Sequence, residues 1–315
     1  MKNIKSLFAA TLNFFQYLFG QVLVPHKNSA FSAVKQTWIM LPLLLTSCQQ
    51  KINLKIPDYK QKLVVEGKIE NGQTPQVYLS YTIPYFGDHS TTNLQDLAVK
   101  GAIVTVTDGI TTDTLKDATF GNGYYYKAQN MIGVEGRNYN LTIQVNGKVY
   151  TAQTSIYPLV PLDTLWFKPT KQDSLGLIYT HIKEPGNQQN QYRWFAKRLG
   201  RDADFIAPLG SSFDDKFING KSFDFAYDRG MLQNSESDDD NNAEKGLFKR
   251  GQNVAVKFCT MGHDEYMFFR SFDANAISNG NPFAAPTNLQ SNIQGENVIG
   301  VWCGYNCFLD TVLLK

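Results

Sequence analysis

Cys48 is the residue whose sequence setting points most directly to a covalent modification. It follows the apolar segment from Trp38 to Leu45 and the small residues Thr46 and Ser47, and the chain turns polar from Gln49 onwards. An apolar core of roughly 7–15 residues with small residues at the cleavage point is typical of a secretory signal. This lipobox predicts cleavage before Cys48 and acylation of its thiol. The alternative is a buried strand or helix with an incidental cysteine.

Three further cysteines are candidates for a metal site or a disulfide. Cys259 lies four residues before His263, and Cys303 lies four before Cys307. Four such ligands would suit tetrahedral zinc, but structural zinc sites usually have tighter cysteine spacings, so we expect no metal. A compartment outside the cytoplasm favours a disulfide, and a Cys303–Cys307 bridge around Gly304 is one outcome. The other outcome has no bridge there, and in it Cys259 is a small buried residue on an apolar strand.

Two other patterns fall short of the chemistry they resemble. The segment Asp238 to Asn242 resembles the start of a calcium loop, but Ala243 and Lys249 stand where an EF-hand needs Gly and a bidentate Glu. A solvated acidic loop is therefore the favoured interpretation. No Gly-x-Ser-x-Gly or His-Glu-x-x-His motif is present, and the histidines after Cys48 form no recognisable motif with an acid. We therefore expect no enzyme.

Trp166, Trp194 and Trp302 are candidates for an aromatic platform that binds a sugar or a peptide. Aromatic side chains combine a large apolar surface with a polar edge, which suits them to binding sites. Alternating aromatic residues on a strand also serve to fill a core on one face of a sheet. The core is the favoured interpretation, and we name the three tryptophans as possible ligand-facing residues under the alternative.

The stretch of residues 61–156 has the pattern of a β-sandwich. Short runs such as Leu63 to Ile69 are rich in residues that favour strands, and turn signals recur about every 8–12 residues. Asn71-Gly72 and Asn146-Gly147 are residue pairs that a two-residue hairpin turn prefers. No helical period is present. The sequence therefore predicts an all-β protein whose N-terminal domain is an immunoglobulin-like or transthyretin-like sandwich.

Residues 162–315 are predicted to form a second β-rich domain with one packed helix. The predicted linker, residues 157–161, contains two prolines, which stiffen the chain and cannot donate to a sheet. The helix is expected near 264–277, because two acids open it and aromatic residues recur at helical spacing. Residues 1–47 are the predicted signal or leader, and residues 48–60 are the predicted lipid anchor and tether.

Charge and composition exclude one class of partner. The leader holds four of the 30 lysines and arginines and none of the 28 acids, so the rest of the chain has 26 basic and 28 acidic residues. Binding to nucleic acid needs a clustered basic surface, so we expect no nucleic-acid partner. Aromatic residues make up 13% of the chain and charged residues 18%, which fits an extracytoplasmic β-rich protein with aromatic cross-strand pairs.

Short motifs occur in a fixed order along the chain. In the first half they include Val64-Val65-Glu66-Gly67, Ala102-Ile103-Val104 and Gly123-Tyr124. Near the C-terminus they are Asn281-Pro282-Phe283, Pro286, Ser291-Asn292-Ile293, Gly295, Gly300-Val301-Trp302 and Gly304-Tyr305. Together they resemble a Bacteroidota outer-membrane lipoprotein family classed as a domain of unknown function. Such families are commonly encoded beside TonB-dependent receptors of the SusC type. The resemblance implies capture or uptake at the outer membrane and supplies no catalytic residues.

These observations predict a non-enzymatic cell-envelope lipoprotein. Its expected role is an accessory or ligand-binding component that acts with a TonB-dependent receptor in nutrient uptake, with a small molecule, glycan or peptide as ligand. The alternative is a structural or adhesin-like surface β-sandwich lipoprotein without a transport partner. A lipid such as palmitate on Cys48 would anchor the protein to the outer membrane, at the cell surface or on the periplasmic face. No cofactor is expected.

The C-terminal segment of residues 281–305 is expected to be architectural. It alternates apolar anchors with Asn, Pro and Gly, which fix turns rather than present chemistry. Its anchors are predicted to pack on the aromatic face of the helix. The predicted contacts are those of Phe283, Ile293 and Trp302 with Tyr266, Phe269 and Phe272.

Overall fold

The computed structural model describes six stretches of the chain, which are residues 59–84, 94–120, 123–171, 173–230, 246–278 and 288–315. Several predicted features lie outside the described residues. They are the leader, the lipobox with Cys48, most of the tether, the acidic segment from Asp238 to Asn242, and the Asn281-Pro282-Phe283 motif.

The described residues form sixteen β-strands, one α-helix and one 3-10 helix. The strands of the first half are β1 (Leu63–Glu70), β2 (Gln76–Tyr81), β3 (Ile103–Thr107), β4 (Thr112–Thr114), β5 (Lys116–Phe120), β6 (Gly123–Lys127), β7 (Asn138–Val145) and β8 (Lys148–Ser155). Those of the second half are β9 (Leu162–Pro169), β10 (Leu175–Lys183), β11 (Gln191–Arg198), β12 (Ser212–Asp214), β13 (Ser222–Tyr227), β14 (Phe248–Lys249), β15 (Asn253–Met261) and β16 (Val298–Leu313). The 3-10 helix is Leu94–Leu97, and the α-helix, α1, is His263–Ser278.

The described strands form three sheets, so the protein is mostly β, as predicted. The largest sheet has eight strands in the order β12-β11-β15-β16-β1-β2-β6-β5. In the second sheet, β10 pairs with β9, β13 and β14. The third sheet has the order β4-β3-β7-β8.

The long strand β16 joins the two halves of the chain within the largest sheet. It pairs in parallel with the whole of β1 and antiparallel with β15. Strands from the predicted regions 61–156 and 162–315 therefore belong to one continuous sheet. Residues 59–315 form a single compact unit.

Both predicted Asn-Gly pairs lie in hairpin connections, but only Asn146-Gly147 forms the two-residue turn, since residues 71–75 separate β1 from β2. Asn146-Gly147 joins β7 to β8, and both residues have positive φ, 49° and 72°, as a type I′ turn requires. Asn71-Gly72 lies between the antiparallel strands β1 and β2, and Gly72 has a φ of 77°. Asparagine tolerates this region of backbone space better than other side chains do, and glycine enters it without strain.

The largest sheet has two faces with different surroundings. Its inner face packs against the two smaller sheets and forms two hydrophobic clusters with them. Its outer face carries α1, whose Tyr266 and Phe269 pack on side chains of β15 and β16. The predicted helix is thus confirmed, and Tyr266 and Phe269 of its predicted aromatic face pack as expected. Among the described residues, no helix has the length and the hydropathy that crossing a membrane requires.

Two of the three candidate tryptophans belong to the core, which the sequence favoured, and the alternative that these two face a ligand is wrong. Trp194 and Trp302 are completely buried on the inner face, and Trp302 Nε1 donates to the Tyr139 carbonyl at 3.1 Å. Burial of these large rings stabilises the fold and leaves no surface for a ligand. Trp166 is half-buried and stacks on Tyr179 of β10, with ring centres 5.8 Å apart.

The expected packing of Trp302 and Ile293 on the helix is also wrong. Both residues belong to the cluster between the largest sheet and the third sheet. Successive side chains of a strand point to opposite faces, so the helix packs on Val301 and Tyr305 while Trp302 points away from it. Phe272, the third predicted helix contact, is 42% exposed.

The predicted Cys303–Cys307 bridge is wrong, because Cys307 is bonded to Cys259. These two residues are direct partners in the antiparallel pairing of β15 with β16, and their Cα atoms are 4.0 Å apart. Cys303 and Cys307 lie four residues apart in one strand, and at about 3.3 Å per residue they are too distant to bond. Cys303 is a buried free thiol.

Candidate functional site

A cleft of about 850 Å³ opens on the outer face of the largest sheet, beside α1. Its walls come from α1, from the segment of residues 204–209, and from side chains of β11 and β15. Alternate residues of a strand share a face, so the parallel pairing of β1 with β16 brings six side chains to one floor. These floor residues are Glu66, Lys68 and Glu70 of β1, and Val301, Cys303 and Tyr305 of β16.

Lys257 and Glu70 form an ion pair in this cleft. Lys257 Nζ lies 2.6 and 2.7 Å from the two carboxylate oxygens of Glu70, and Lys68 Nζ lies 3.5 Å from one of them. The side chains of Lys257 and Glu70 are only 13% and 16% exposed. Burial lowers the pKa of Lys257, and the neighbouring carboxylate opposes that shift. Glu70 thus compensates the charge of Lys257, as a buried cation requires.

Arg193 of β11 is the cation of the cleft that lacks an acidic partner among the described residues. Its guanidinium carbon lies 3.3 Å from the ring centre of Phe269 and 4.9 Å from that of Phe195. Nη1 donates to the Tyr305 hydroxyl at 3.0 Å. Nε is buried and has no hydrogen-bond partner among the described residues. The positive charge is therefore held between aromatic rings, with no acid of the described residues within ion-pair distance.

Apolar side chains line the same space. Phe205 lies opposite the cation of Lys257, with Nζ 5.6 Å from its ring centre. Phe272 and Leu209 also line the cleft, and they are 42% and 50% exposed. Apolar walls with a few polar groups are typical of small-ligand sites.

Two carboxyl groups of the wall anchor loop backbone. Asp273 of α1 accepts a hydrogen bond from the Gly210 N–H, and Asp228 accepts one from the Gly230 N–H, both at 3.0 Å. Burial raises the pKa of both carboxyls. Arg193 partly offsets the effect at Asp273. These acids therefore shape the rim of the cleft.

The floor offers neutral polar groups. Burial raises the pKa of the Cys303 thiol and of the Tyr305 hydroxyl well above their usual ranges, so both are protonated near neutral pH. A protonated thiol is a weak nucleophile. No group of three or more His, Cys, Asp or Glu side chains in the described part of the chain is arranged to hold a metal ion. The arrangement is suited to binding by a cation, aromatic rings and a hydroxyl.

A family model described as Domain of unknown function (DUF4249) matches residues 49–307. The chain belongs to this family. The matched residues include every cleft residue named above. No curated protein matches this family member.

This DUF4249 chain is also similar to a solved structure of a DUF4785 family protein from Legionella pneumophila, with 10% sequence identity and a TM-score of 0.22. The similarity covers 63% of this chain and 52% of the Legionella protein, so it spans about half of that protein's length. At this TM-score the similarity carries no argument about fold or function.

The cleft contains few of the residues that the sequence motifs single out. Cys303 lies in its floor, whereas Cys307 is held in the disulfide. Trp166 lies on β9 of the second sheet and does not line the cleft, and the other two tryptophans are core residues. Cys48 lies outside the described residues.

The charged residues that matter most in the cleft are not identified from the sequence. These are Arg193, Lys257 and Glu70. A signal for two of them exists in the strand pattern. Arg193 lies between two fully buried aromatic residues of β11, and Lys257 lies between fully buried Val256 and Phe258 of β15. A charged residue inside such an apolar strand must face a surface that tolerates charge.

Proposed function

We propose that this protein is a non-enzymatic lipoprotein of the cell envelope that binds a small ligand in the cleft beside α1. It would act as an accessory or ligand-binding component of a TonB-dependent receptor in nutrient uptake. The ligand would enter from the open side of the largest sheet, and the protein would hold it for transfer to the receptor.

The observation that carries the proposal is Arg193, a cation in the wall of an aromatic cleft with no acid within ion-pair distance among the described residues. Arg193 is half-buried, and a positive charge that is partly removed from water without an ion-pair partner is costly to the fold. Proteins keep such groups where they serve binding or catalysis. The volume of about 850 Å³ also lies within the range typical of small-ligand pockets. These features support a ligand site over a purely structural surface.

The cleft can be tested by filling it. Ala207 lines the wall and is half-buried, so Ala207→Trp should occupy the space without entering the core. Val149→Trp is the matched control, because Val149 is 57% exposed on β8 and does not line the cleft. A library of small carboxylates, sugars and short peptides would be screened by saturation-transfer NMR. We expect ligands whose signal is lost in Ala207→Trp and kept in Val149→Trp. If no library member behaves so, the ligand-binding proposal fails.

The lipid anchor is proposed from the lipobox that ends at Cys48. Radiolabelled palmitate should mark the wild-type protein in cells and should not mark Cys48→Ala. The control is Cys303→Ser, which removes a buried thiol and should keep the label. Wild-type protein without label would refute the anchor. Protease treatment of intact cells would then separate a surface position from a periplasmic one.

The receptor partner is proposed from the resemblance to families encoded beside such receptors. Affinity purification of the tagged lipoprotein from detergent-solubilised membranes should bring down a TonB-dependent receptor. An unrelated tagged lipoprotein of the same membrane is the control. If the labelled, membrane-bound protein brings down no receptor, the structural or adhesin-like alternative is the better account.

We also propose the finer architecture, an immunoglobulin-like or transthyretin-like sandwich over residues 61–156 and a second β-rich domain over 162–315. The two hydrophobic clusters of the inner face support this division. The first cluster is built from residues of the first region except for Ile293 and Trp302, and the second cluster from residues 160–314. Limited proteolysis that releases two stable fragments would support the division, and a single protected unit would oppose it.

A further inference from the structure

We propose that the cleft selects ligands that carry one carboxylate on an aromatic or apolar body, and that Arg193 binds this carboxylate. The inference rests on the proposed ligand-binding function and names its ligand class. It is drawn from three features of the cleft: one unneutralised cation, the arrangement of its hydrogen-bond donors, and the exposed apolar walls.

The first feature is the distribution of charge. Lys257 and Lys68 both lie within ion-pair distance of Glu70, so their charges are already opposed by a protein carboxylate. Arg193 has no such partner among the described residues. Its neighbour Tyr305 stays protonated and supplies no negative charge. An anionic ligand is therefore the partner that would complete this site.

The second feature is the arrangement of the guanidinium. The guanidinium carbon of Arg193 lies so close to the centre of the Phe269 ring that the ring must stack on one flat face of the guanidinium. Hydrogen bonds are donated in the plane of a guanidinium, along its edges. Nη1 donates to Tyr305 and Nε is buried, so the edge formed by the terminal nitrogens Nη1 and Nη2 is the one that a ligand can reach. A carboxylate is planar and accepts two parallel N–H bonds from such an edge.

The acidic residues that line the cleft limit how many negative charges a ligand can carry. The lining residues include five acids and three bases, which are Glu66, Glu70, Asp204, Asp228, Asp273, Lys68, Arg193 and Lys257. A ligand with several negative charges, such as a phosphorylated sugar, would meet this excess of acids. A single carboxylate would be neutralised by Arg193 alone. Electrostatics therefore favour a monocarboxylate.

The third feature is the apolar wall that a ligand body would cover. Phe272 and Leu209 are 42% and 50% exposed although they lie in a concave surface. Contact with an aromatic or branched apolar group would remove this area from water, and Phe205 adds a further ring to the same wall. A sugar acid with hydroxyl groups on all sides would gain less from these walls.

The test uses a matched pair of probes, 2-naphthoate and 2-naphthamide, which share a ring system and differ in charge. Binding to the full-length protein would be measured by isothermal titration calorimetry. We expect naphthoate to bind at least about tenfold more tightly than naphthamide, since a hydrogen bond to a charged group is stronger than a neutral one. Ala207→Trp should weaken both probes. Equal affinities for the two probes would overturn the carboxylate assignment.

The residue is tested with Arg193→Met, which keeps an apolar stem and removes the charge. We expect naphthoate affinity to fall by at least about tenfold and naphthamide affinity to stay within about twofold. The control is Arg270→Gln, which removes a charge from an exposed position next to Phe269 and should leave both affinities unchanged. Arg193→Lys keeps the charge without the planar edge, so its affinity for naphthoate should lie between that of the wild type and that of Arg193→Met.

The outcomes separate the two proposals. Suppose that other library members bind the wild type and lose binding in Ala207→Trp, while naphthoate does not bind at all. In that case the proposed ligand class is wrong and the proposed binding function stands. The same holds if Arg193→Met folds with a wild-type circular dichroism spectrum and binds naphthoate as tightly as the wild type. If no ligand of any class binds in the cleft, both proposals fail. The comparison of the two probes on the wild type needs no variant and decides the matter even if Arg193→Met does not fold.

Discussion

Glu265→Gln should remove a pH dependence of stability that a buried carboxyl creates. Glu265 lies in the first turn of α1, is only 3% exposed, and accepts a hydrogen bond from the Thr154 hydroxyl of β8. Burial raises the pKa of this carboxyl from 4.5 to about 7, although the hydrogen bond from Thr154 lowers it in part. The side chain therefore joins α1 to the third sheet, and it does so at a cost that depends on pH.

The sign follows from proton binding. Between pH 4.5 and about 7 the folded protein keeps the Glu265 proton, while the unfolded chain releases it. The contribution of this group to stability is therefore complete below pH 4.5 and is lost as the pH rises through about 7. Each unit of difference in pKa is worth about 1.4 kcal/mol, so the loss amounts to roughly 3 kcal/mol.

The assay is urea denaturation at about pH 4 and about pH 8, a window chosen to bracket the titration. The wild type should lose roughly 3 kcal/mol more than Glu265→Gln between these conditions. Asp310→Asn is the control, because it removes an exposed acid that does not act on Glu265 and should follow the wild type. Glu265→Gln also alters hydrogen bonds, and this changes the free energy of unfolding at both pH values. The test is therefore the change in that free energy between the two pH values, and not its value at either one. A wild-type pH response in Glu265→Gln would refute the argument.

Three further predictions concern stability and can be checked by thermal and urea denaturation. Trp302→Ala should lower the free energy of unfolding by roughly 3–5 kcal/mol and lower the yield, because it empties a fully buried site; wild-type stability would show that the ring is not core. Cys307→Ser should lower the free energy of unfolding by up to about 4 kcal/mol, because the bond to Cys259 closes a loop of 48 residues. An unchanged urea midpoint after reduction of the wild type would contradict this prediction. Asp113→Ala should cost roughly 2 kcal/mol or more, because one carboxylate oxygen accepts three backbone N–H groups from residues 129–131. Burial would raise the pKa of Asp113, but the three hydrogen bonds lower it overall. The stability that Asp113 contributes should therefore fade below about pH 4. Asp117→Asn is the control.

Local patterns in the sequence predict the local structure well. The Asn-Gly pairs mark turns because few other residues tolerate the backbone angles that a tight hairpin needs. The helix near residue 264 is recognisable because its signals, acids in the first turn and aromatic residues at helical spacing, lie within one short segment. In both cases the physical cause acts over a few residues, so the sequence alone is sufficient.

Pairing between distant segments is not readable from local patterns. The segment from Val298 onwards contains glycines that suggest turns, yet it forms a continuous strand of sixteen residues. A Cβ at residue 300 would overlap the carbonyl oxygen of Val65, and one at Gly304 would overlap that of Ser155. These glycines allow close approach of β16 to β1 and to β8. Their role depends on partners about 150 residues or more away in the chain.

The cysteine prediction fails for the same reason. Spacing of four residues brings side chains together on a helix, but it separates them along a strand. Cys259 and Cys307 become neighbours only through the register of β15 with β16. A prediction of the disulfide therefore requires the sheet order first.

The candidate site depends on one strand that serves two purposes. The even-numbered residue Trp302 points into the core, while its odd-numbered neighbours, residues 301, 303 and 305, form the cleft floor. The first half of this strand pairs with β1 and the second half with β15, and the pairing with β1 holds the floor residues in place. Arg193 and Lys257 come from the neighbouring strands β11 and β15, so their positions are fixed by the same sheet. A rigid floor loses little conformational entropy when a ligand binds, which favours selection by geometry and charge. The residues that stabilise this fold and those that would bind a ligand therefore alternate along one strand, and substitutions at alternate positions should separate the two roles.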